Sequence, residues 1–238
     1  MGKSLIQQKR GKGGPRWRAN SFQWKGKAGF SSMNGKDMSA KITDIVHSSG
    51  HSAPLMELEY SNGQKGLLQA PDGIKVGDML QIGAEVEVKI GNILPLKSIP
   101  EGTSIYNLES NPGDGGKFVR TSGTFAKIIT KSEEGVVVEL PSNKRRTFMP
   151  ECRAIIGTLS GSGRTEKPFL KAGKHFHAKI AKNKLWPIVC GTSMNSLSHP
   201  FGGRSSHAKG IPTQSARNSP PGRKVGKIAP KRTGRKKR

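Results

Sequence analysis

The stretch "APLMELEYSNGQKGLLQAP" (residues 53–71) decides the fold class of this chain. Two short apolar-rich runs flank Asn62-Gly63, and both of these residues tolerate positive φ, a strong local signal for a β-hairpin. The same grammar recurs nearby in "SAKITDIVHS" (39–48), "DMLQIG" (78–83) and "AEVEVKIGNILPL" (84–96). "PDG" (71–73) and "VGD" (76–78) mark further turns. Alternation in "EVEVKI" (85–90) predicts one buried and one wet face. Strands this short, with turns this frequent, predict a small closed or nearly closed β-barrel over residues 37–100.

A Gly/Pro-rich passage, "IPEGTSIYNLESNPGDGGKF" (99–118), interrupts the pattern, and residues 101–116 read as a linker. A second β-set follows in 117–166: "SGTFAKIITK" (122–131), "GVVVELPSNKRRTFMP" (135–150) and "CRAIIGTLS" (152–160). Its first two runs pair through "SEEG" (132–135), and "PSNKRR" (141–146) makes a turn carrying Lys144, Arg145 and Arg146. Beyond residue 167 the text is basic and rich in Gly, Pro and Ser, with one candidate short helix at "HFHAKIAKNK" (175–184). Apolar residues are only 32% of the chain. That favours small β-modules with basic extensions at 1–36 and 167–238 over one large core.

Charge sharpens this division. The formal net charge is +25, but residues 1–36 hold nine Lys/Arg and no acid, and residues 167–238 hold eighteen and no acid. The segment between is close to neutral, at −2. Two cationic arms around a neutral β-centre point to a polyanion. Trp17, Phe22, Trp24 and Phe30 interleave with the N-terminal cations. That mixture suits nucleic acid, because cations meet phosphates and flat rings stack on bases. Without a persistent helical or strand period, this arm is expected to stay extended or disordered until a partner orders it. The competing reading is a solubilising tail.

Enzymatic readings fare poorly. "SMNSLSHPFGGRSS" (193–206) resembles an active-site loop, with serines, His199 and a Gly pair. Yet no G-x-S-x-G elbow exists, and no acid lies within 30 residues of His199. His175, His177, Cys190, His199 and His207 match no usual zinc-ligand spacing. "GDGGKF" lacks the spacing and the Ser/Thr of a phosphate-binding loop. Cys152 and Cys190 are too few for a disulfide framework and read as small packing residues. No apolar run approaches membrane-spanning length, and the N-terminus lacks the hydrophobic segment of a secretory signal. No metal or cofactor is expected.

Small residues in "HPFGGRSSHAKG" suit close approach of backbone to another surface, with Arg204, His207 and Lys209 available to phosphates. "NSPPGRKVGKIAPKRTGRKKR" (218–238) combines proline stiffness with dense positive charge. A nuclear-localisation-like run or unspecific stickiness is the alternative for the last eight residues.

Several ordered motifs resemble one known family. They are "QQKRGKG" (7–13), "GNILPLKSIPEGTSIYNLE" (91–109), "NPGDGGKFVRTSGTFAKI" (111–128), "ECRAIIGTLSGSGRTEKPFLKAG" (151–173), "MNSLSHPFGG" (194–203) and "PPGRKVGKIAPKRTGR" (220–235). Together they resemble the universal large-subunit ribosomal protein L-two family, in its archaeal/eukaryotic form, and the chain length favours the archaeal branch. The resemblance implies an all-β core, an OB-like barrel followed by an SH3-like barrel, with RNA-threading extensions at both ends. It also implies a cytoplasmic, ribosomal protein that binds large-subunit ribosomal RNA beside other ribosomal proteins. A role in subunit association and a contact with the small subunit are implied too, with the His199 loop towards the peptidyl-transferase region. The sequence departs from the family pattern at Ser198, where an acid is usual, and at Arg204, where a third glycine is common. Both departures count against an acid-assisted histidine and leave intact the reading of a loop that fits RNA by shape.

Carried onto matching positions, the expected RNA contacts in the second barrel are Lys117, Arg120, Arg145, Arg146 and Arg153. In the C-terminal region they are Arg164, Lys171, Lys174, His199, Arg204, Arg217, Arg223, Lys224, Lys231 and Arg232. Arg153 has a competing reading as a structural ion pair at a barrel edge. The function class that competes with a structural ribosomal protein is a free-standing RNA chaperone or nucleic-acid-modifying enzyme. Such an enzyme needs a cluster of acids or metal ligands at a barrel, which the sequence does not supply.

Overall fold

The computed structural model describes residues 2–18, 24–31, 38–203 and 214–232. The chain divides into two compact units: Asn20–Leu170, and a second built from Met1–Ala19 together with Lys171–Arg238. Arg204, His207 and Lys209 lie outside the described residues.

The Asn20–Leu170 unit is all-β, as expected. Its strands are β1 (Met38–Val46), β2 (Leu55–Tyr60), β3 (Lys65–Gln69), β4 (Met79–Ile82), β5 (Ile93–Pro95), β6 (Ser104–Tyr106), β7 (Ala126–Ser132), β8 (Gly135–Glu139), β9 (Arg145–Phe148) and β10 (Arg153–Ile156). They form one continuous sheet in the order β3-β2-β1-β4-β5-β10-β6-β7-β8-β9. Every pairing is antiparallel except the short β4–β5 contact at Ile82 and Ile93.

The hairpin at Asn62-Gly63 forms, but by a different division of labour from the one its two turn residues suggest. Only Gly63 adopts positive φ, at 78°. Asn62 instead offers Oδ1 to the Gln64 N–H at 3.0 Å. The Tyr60 N–H donates to the Gln64 carbonyl at 2.9 Å, so three residues make the loop. That loop ends in a left-handed glycine, the usual three-residue solution.

Two cores lie on this sheet. The first gathers Ile42, Met56, Leu58, Leu68, Leu80, Ile93, Tyr106 and Ile155, and the second gathers Leu94, Leu96, Ile105, Ile128, Val138, Ala154 and Ile156. Successive residues point to opposite faces of a strand. In β5, β6 and β10 that alternation sends neighbours into different cores: Ile93 and Leu94, Tyr106 and Ile105, Ile155 and Ile156. These three strands therefore carry no polar face. The passage 101–116, read as a linker from its Gly and Pro content, contributes β6 from its middle. With Ile105 and Tyr106 buried on opposite faces of so short a strand, there is no periodicity to detect.

The stretch 85–90 forms no strand despite its alternation. Val88 and Ile90 are exposed, and only Val86 packs on a core. Buried Asn92 explains the loop: its Nδ2 donates to the Glu87 carbonyl at 3.0 Å, and its Oδ1 accepts the Gln81 N–H at 2.9 Å.

The segment 24–31 runs along this unit, with the Gly29 N–H donating to the Leu67 carbonyl at 3.0 Å and the Phe30 N–H to the Gly115 carbonyl at 3.1 Å. This part of the N-terminal arm is therefore extended and tied down.

The second unit joins both ends of the chain. Helix α1 (Ile6–Gly11) starts where Gln8 Oε1 accepts the Leu5 N–H at 2.8 Å, and ends with Lys9 and Arg10 in its last turn. Cations there complement the helix dipole. A six-residue helix is marginal alone, so tertiary contact must hold it. Leu5 and Val225 are buried, and the Lys3 N–H donates to the Leu197 carbonyl at 2.8 Å. Regular structure in the first arm, not expected from its composition, thus depends on residues about 190 positions away. Helix α2 (Ala172–Ile180) overlaps the expected helix but begins earlier and ends before the "AKNK" segment. A two-residue parallel pair, β11 (Gln214–Ser215) with β12 (Lys227–Ile228), completes the unit.

Candidate nucleic-acid interface

Candidates in the Asn20–Leu170 unit separate into exposed and built-in cations. Arg145 and Arg146 open β9 and are exposed. Arg146 lies over two rings, with Cζ 4.9 Å from the Phe118 centroid and 5.2 Å from that of Phe148. Those rings meet edge to face at 5.3 Å. The exposed guanidinium thus rests on an aromatic pair, a cation–π arrangement that leaves it accessible to phosphate. Lys117 is largely exposed and pairs with Asp114 Oδ2 at 3.3 Å. Arg164 is exposed, and its Nε donates to Ser122 Oγ at 2.8 Å.

Arg120 and Arg153 face inward. Arg120 donates from Nη1 to the Gly116 carbonyl at 3.0 Å and from Nη2 to the Ala28 carbonyl. With the Gln69 amide oriented to present its oxygen, Nε and Nη2 reach it at 3.0 and 2.8 Å. Arg153 grips Glu109, whose side chain is fully buried: Nη2 lies 2.8 Å from Oε1 and Nε 3.2 Å from Oε2. Its own backbone N–H also donates to Oε2, at 2.9 Å, and the Gly115 N–H donates to Oε1 at 3.2 Å. The guanidinium stacks 5.1 Å from the Phe30 centroid. Glu109, Phe118 and Phe148, which complete these arrangements, had no signal of their own in the sequence.

The remaining candidates belong to the unit formed by the chain ends. Lys171 precedes α2 and Lys174 lies in its first turn, both exposed. Arg217, Lys231 and Arg232 are exposed, while Arg223 and Lys224 are half-buried. Arg223 Nη1 is buried without a hydrogen-bond acceptor among the described residues. An orphaned charged donor is costly unless an acceptor reaches it.

His199 sits in a tightly self-packed loop. Its Nδ1 accepts the Phe201 N–H at 3.0 Å, and the two rings lie 5.1 Å apart. Its ring lies so close to Gly191 that any Cβ there would collide with it, and a Cβ at Gly202 would collide with the Met194 and Asn195 carbonyls. Of the glycines in "HPFGGRSSHAKG" expected to permit close approach, Gly202 makes room for the loop's own carbonyls. Burial lowers the pKa of His199 below its ordinary value, so the ring is neutral near pH 7. With Nδ1 an acceptor, the proton resides on Nε2, which has no partner among the described residues. A base would need the opposite arrangement, a bare nitrogen facing its substrate.

No group of three His, Cys, Asp or Glu among the described residues could hold a metal, and no described helix is long and apolar enough to cross a membrane. Cys152 and Cys190 are free thiols, the first buried and the second exposed.

Comparison with known proteins agrees with the sequence motifs. The family model for Ribosomal Proteins L2, C-terminal domain, matches residues 89–223. The large ribosomal subunit protein uL2 of Methanobrevibacter smithii is 48% identical over 241 aligned residues, covering 100% of both chains. That of Methanothermobacter thermautotrophicus is 45% identical over 241, again with 100% of both covered. The Archaeoglobus fulgidus protein of the same name is 45% identical over 234, covering 98% of this chain and 99% of its own. By family match and by full-length similarity, this chain belongs to the uL2 family of large ribosomal subunit proteins.

Proposed function

We propose that the chain is a structural constituent of the large ribosomal subunit that binds its ribosomal RNA and acts through binding, not catalysis. One observation carries this reading. The unit formed by the two chain ends has twenty-three Lys and Arg and no Asp or Glu. Such a body repels itself unless a polyanion supplies the counter-charge. RNA phosphates would also satisfy the buried Arg223 Nη1.

On this reading the first core is the OB-like barrel and the second the SH3-like barrel. Lys117, Arg145, Arg146 and Arg164 meet RNA from that body. Lys171, Lys174, Arg204, Arg217, Arg223, Lys224, Lys231 and Arg232 meet it from the end unit. Arg120 and Arg153 act indirectly, by holding loops in place. His199 serves as a neutral, fixed hydrogen-bond donor that fits RNA by shape. Neighbouring ribosomal proteins and a small-subunit contact are further partners in this proposal.

The test is sedimentation of the tagged chain through a sucrose gradient at moderate salt. It should travel with large ribosomal subunits. Migration only as a free protein would refute the assignment.

A further inference from the structure

Within the end unit, residues 2–5, 8, 196–197, 199–200 and 221–222 line an open cleft of about 280 Å³. Both ends of the chain are needed to build it, and the Lys3 N–H bond to the Leu197 carbonyl fastens them together. The cleft is small. It lies just below the ~300–1,000 Å³ typical of sites for drug-sized ligands, so it suits one compact group, not a helical groove.

Its chemistry is one-sided. No acid lines it; Lys3, Gln8 and His199 do. Gln8 spends Oε1 on the Leu5 N–H, which leaves its amide N–H groups to donate. His199 spends Nδ1 on Phe201, which leaves Nε2–H to donate. Lys3 adds an ammonium. Leu197, Pro200 and Pro221 supply apolar walls. A ligand that fits must be flat or compact, rich in acceptors and anionic.

We propose that this cleft receives a single unstacked nucleotide of the large-subunit RNA, its base against the proline and leucine walls and its acceptors on Gln8 and His199. This rests on the RNA-binding reading above and adds a defined occupant to it. Single nucleotides splayed from a loop or bulge are the usual objects of such recognition, because bases inside A-form helices are out of reach.

The experiment probes base and 2′-hydroxyl reactivity of transcribed large-subunit RNA bound by the full chain. Ser196→Phe and Ser4→Phe each place a bulky ring on a residue that lines the cleft, from different ends of the chain, and both positions are exposed. One nucleotide, protected by the unaltered chain, should regain reactivity in both variants while the rest of the footprint persists. Affinity should fall roughly tenfold. An identical footprint in all three proteins overturns the cleft proposal and leaves RNA binding standing. No footprint from the unaltered chain overturns the RNA reading itself. If both variants lose the whole footprint, a photoreactive benzophenone side chain at Leu197 decides. Capture of one nucleotide supports the proposal, and capture of many or none overturns it.

Discussion

Removing the Arg153 guanidinium separates a structural role from an RNA contact. Arg153→Ala would leave the Glu109 carboxyl buried without its charge partner, with only the Arg153 and Gly115 backbone N–H groups, at 2.9 and 3.2 Å, to satisfy it. Breaking a buried pair by deleting one partner costs about 3–5 kcal/mol. The two surviving donors put the expected loss at the lower end, about 3 kcal/mol. Because Arg153 opens β10 and pairs with Pro95 of β5, the loss should appear in these central strands. Native-state hydrogen exchange reads it there: β5 and β10 amides should exchange on the order of 100-fold faster, at about 1.4 kcal/mol per tenfold. The double variant Glu109→Gln/Arg153→Met should lose less than Arg153→Ala, since no unpaired charge remains. RNA affinity of the single variant, measured where it stays folded, should keep its salt slope. Unchanged exchange, with a slope shallower by about one phosphate's worth, would refute the structural account and restore Arg153 as an RNA contact.

Arg146→Ala should do the reverse: stability falls by only about 0.5–1 kcal/mol, the worth of an exposed cation–π contact, while the log–log salt slope of RNA binding shallows by about 0.7–0.9. Thiol labelling should find one fast and one protected cysteine. Hydrogen bonding from Thr192 lowers the pKa of exposed Cys190, whereas burial first, and then the Glu109 charge, pushes Cys152 up to about 11. Cys190 should therefore react with a disulfide reagent at pH 7.5 and Cys152 only after denaturation, a pattern scored by intact mass. Stability should also fall with acid. Burial, and then the charge of Arg120, lowers the His51 pKa, and burial lowers that of His199. The unfolded chain then binds more protons as pH drops through the ordinary histidine value of about 6.5, which favours unfolding. A chemical-denaturation series from pH 7.5 to 5 should show that decline, and His51→Gln should flatten it.

The all-β core was legible because its hairpins announce themselves: Asn62-Gly63 between apolar runs needs no tertiary information. β6 was hidden because Ile105 and Tyr106 are buried on opposite faces, so the strand shows no alternation. At 85–90 alternation misled, since Asn92 bonds the backbone there and no strand pairs with it. The candidate interface was legible as charge, which composition records directly. Its internal division was not. Arg146 and Arg153 look alike in sequence, and only the placement of Phe118, Phe148 and Glu109 tells a stacked, outward arginine from an inward one. Likewise, Gly202 correctly marked close approach, but what approaches it is the loop itself.

The salt dependence of RNA binding tests the central claim most directly. The full chain is compared with the Asn20–Leu170 fragment, once hydrogen exchange shows that the fragment keeps its protected strands. With twenty-three cations and no acid in the end unit, and about −0.7 to −0.9 in log–log slope per phosphate neutralised, the full chain should be steeper by several units. Equal slopes would mean that the β-body carries the electrostatics, and would contradict the account.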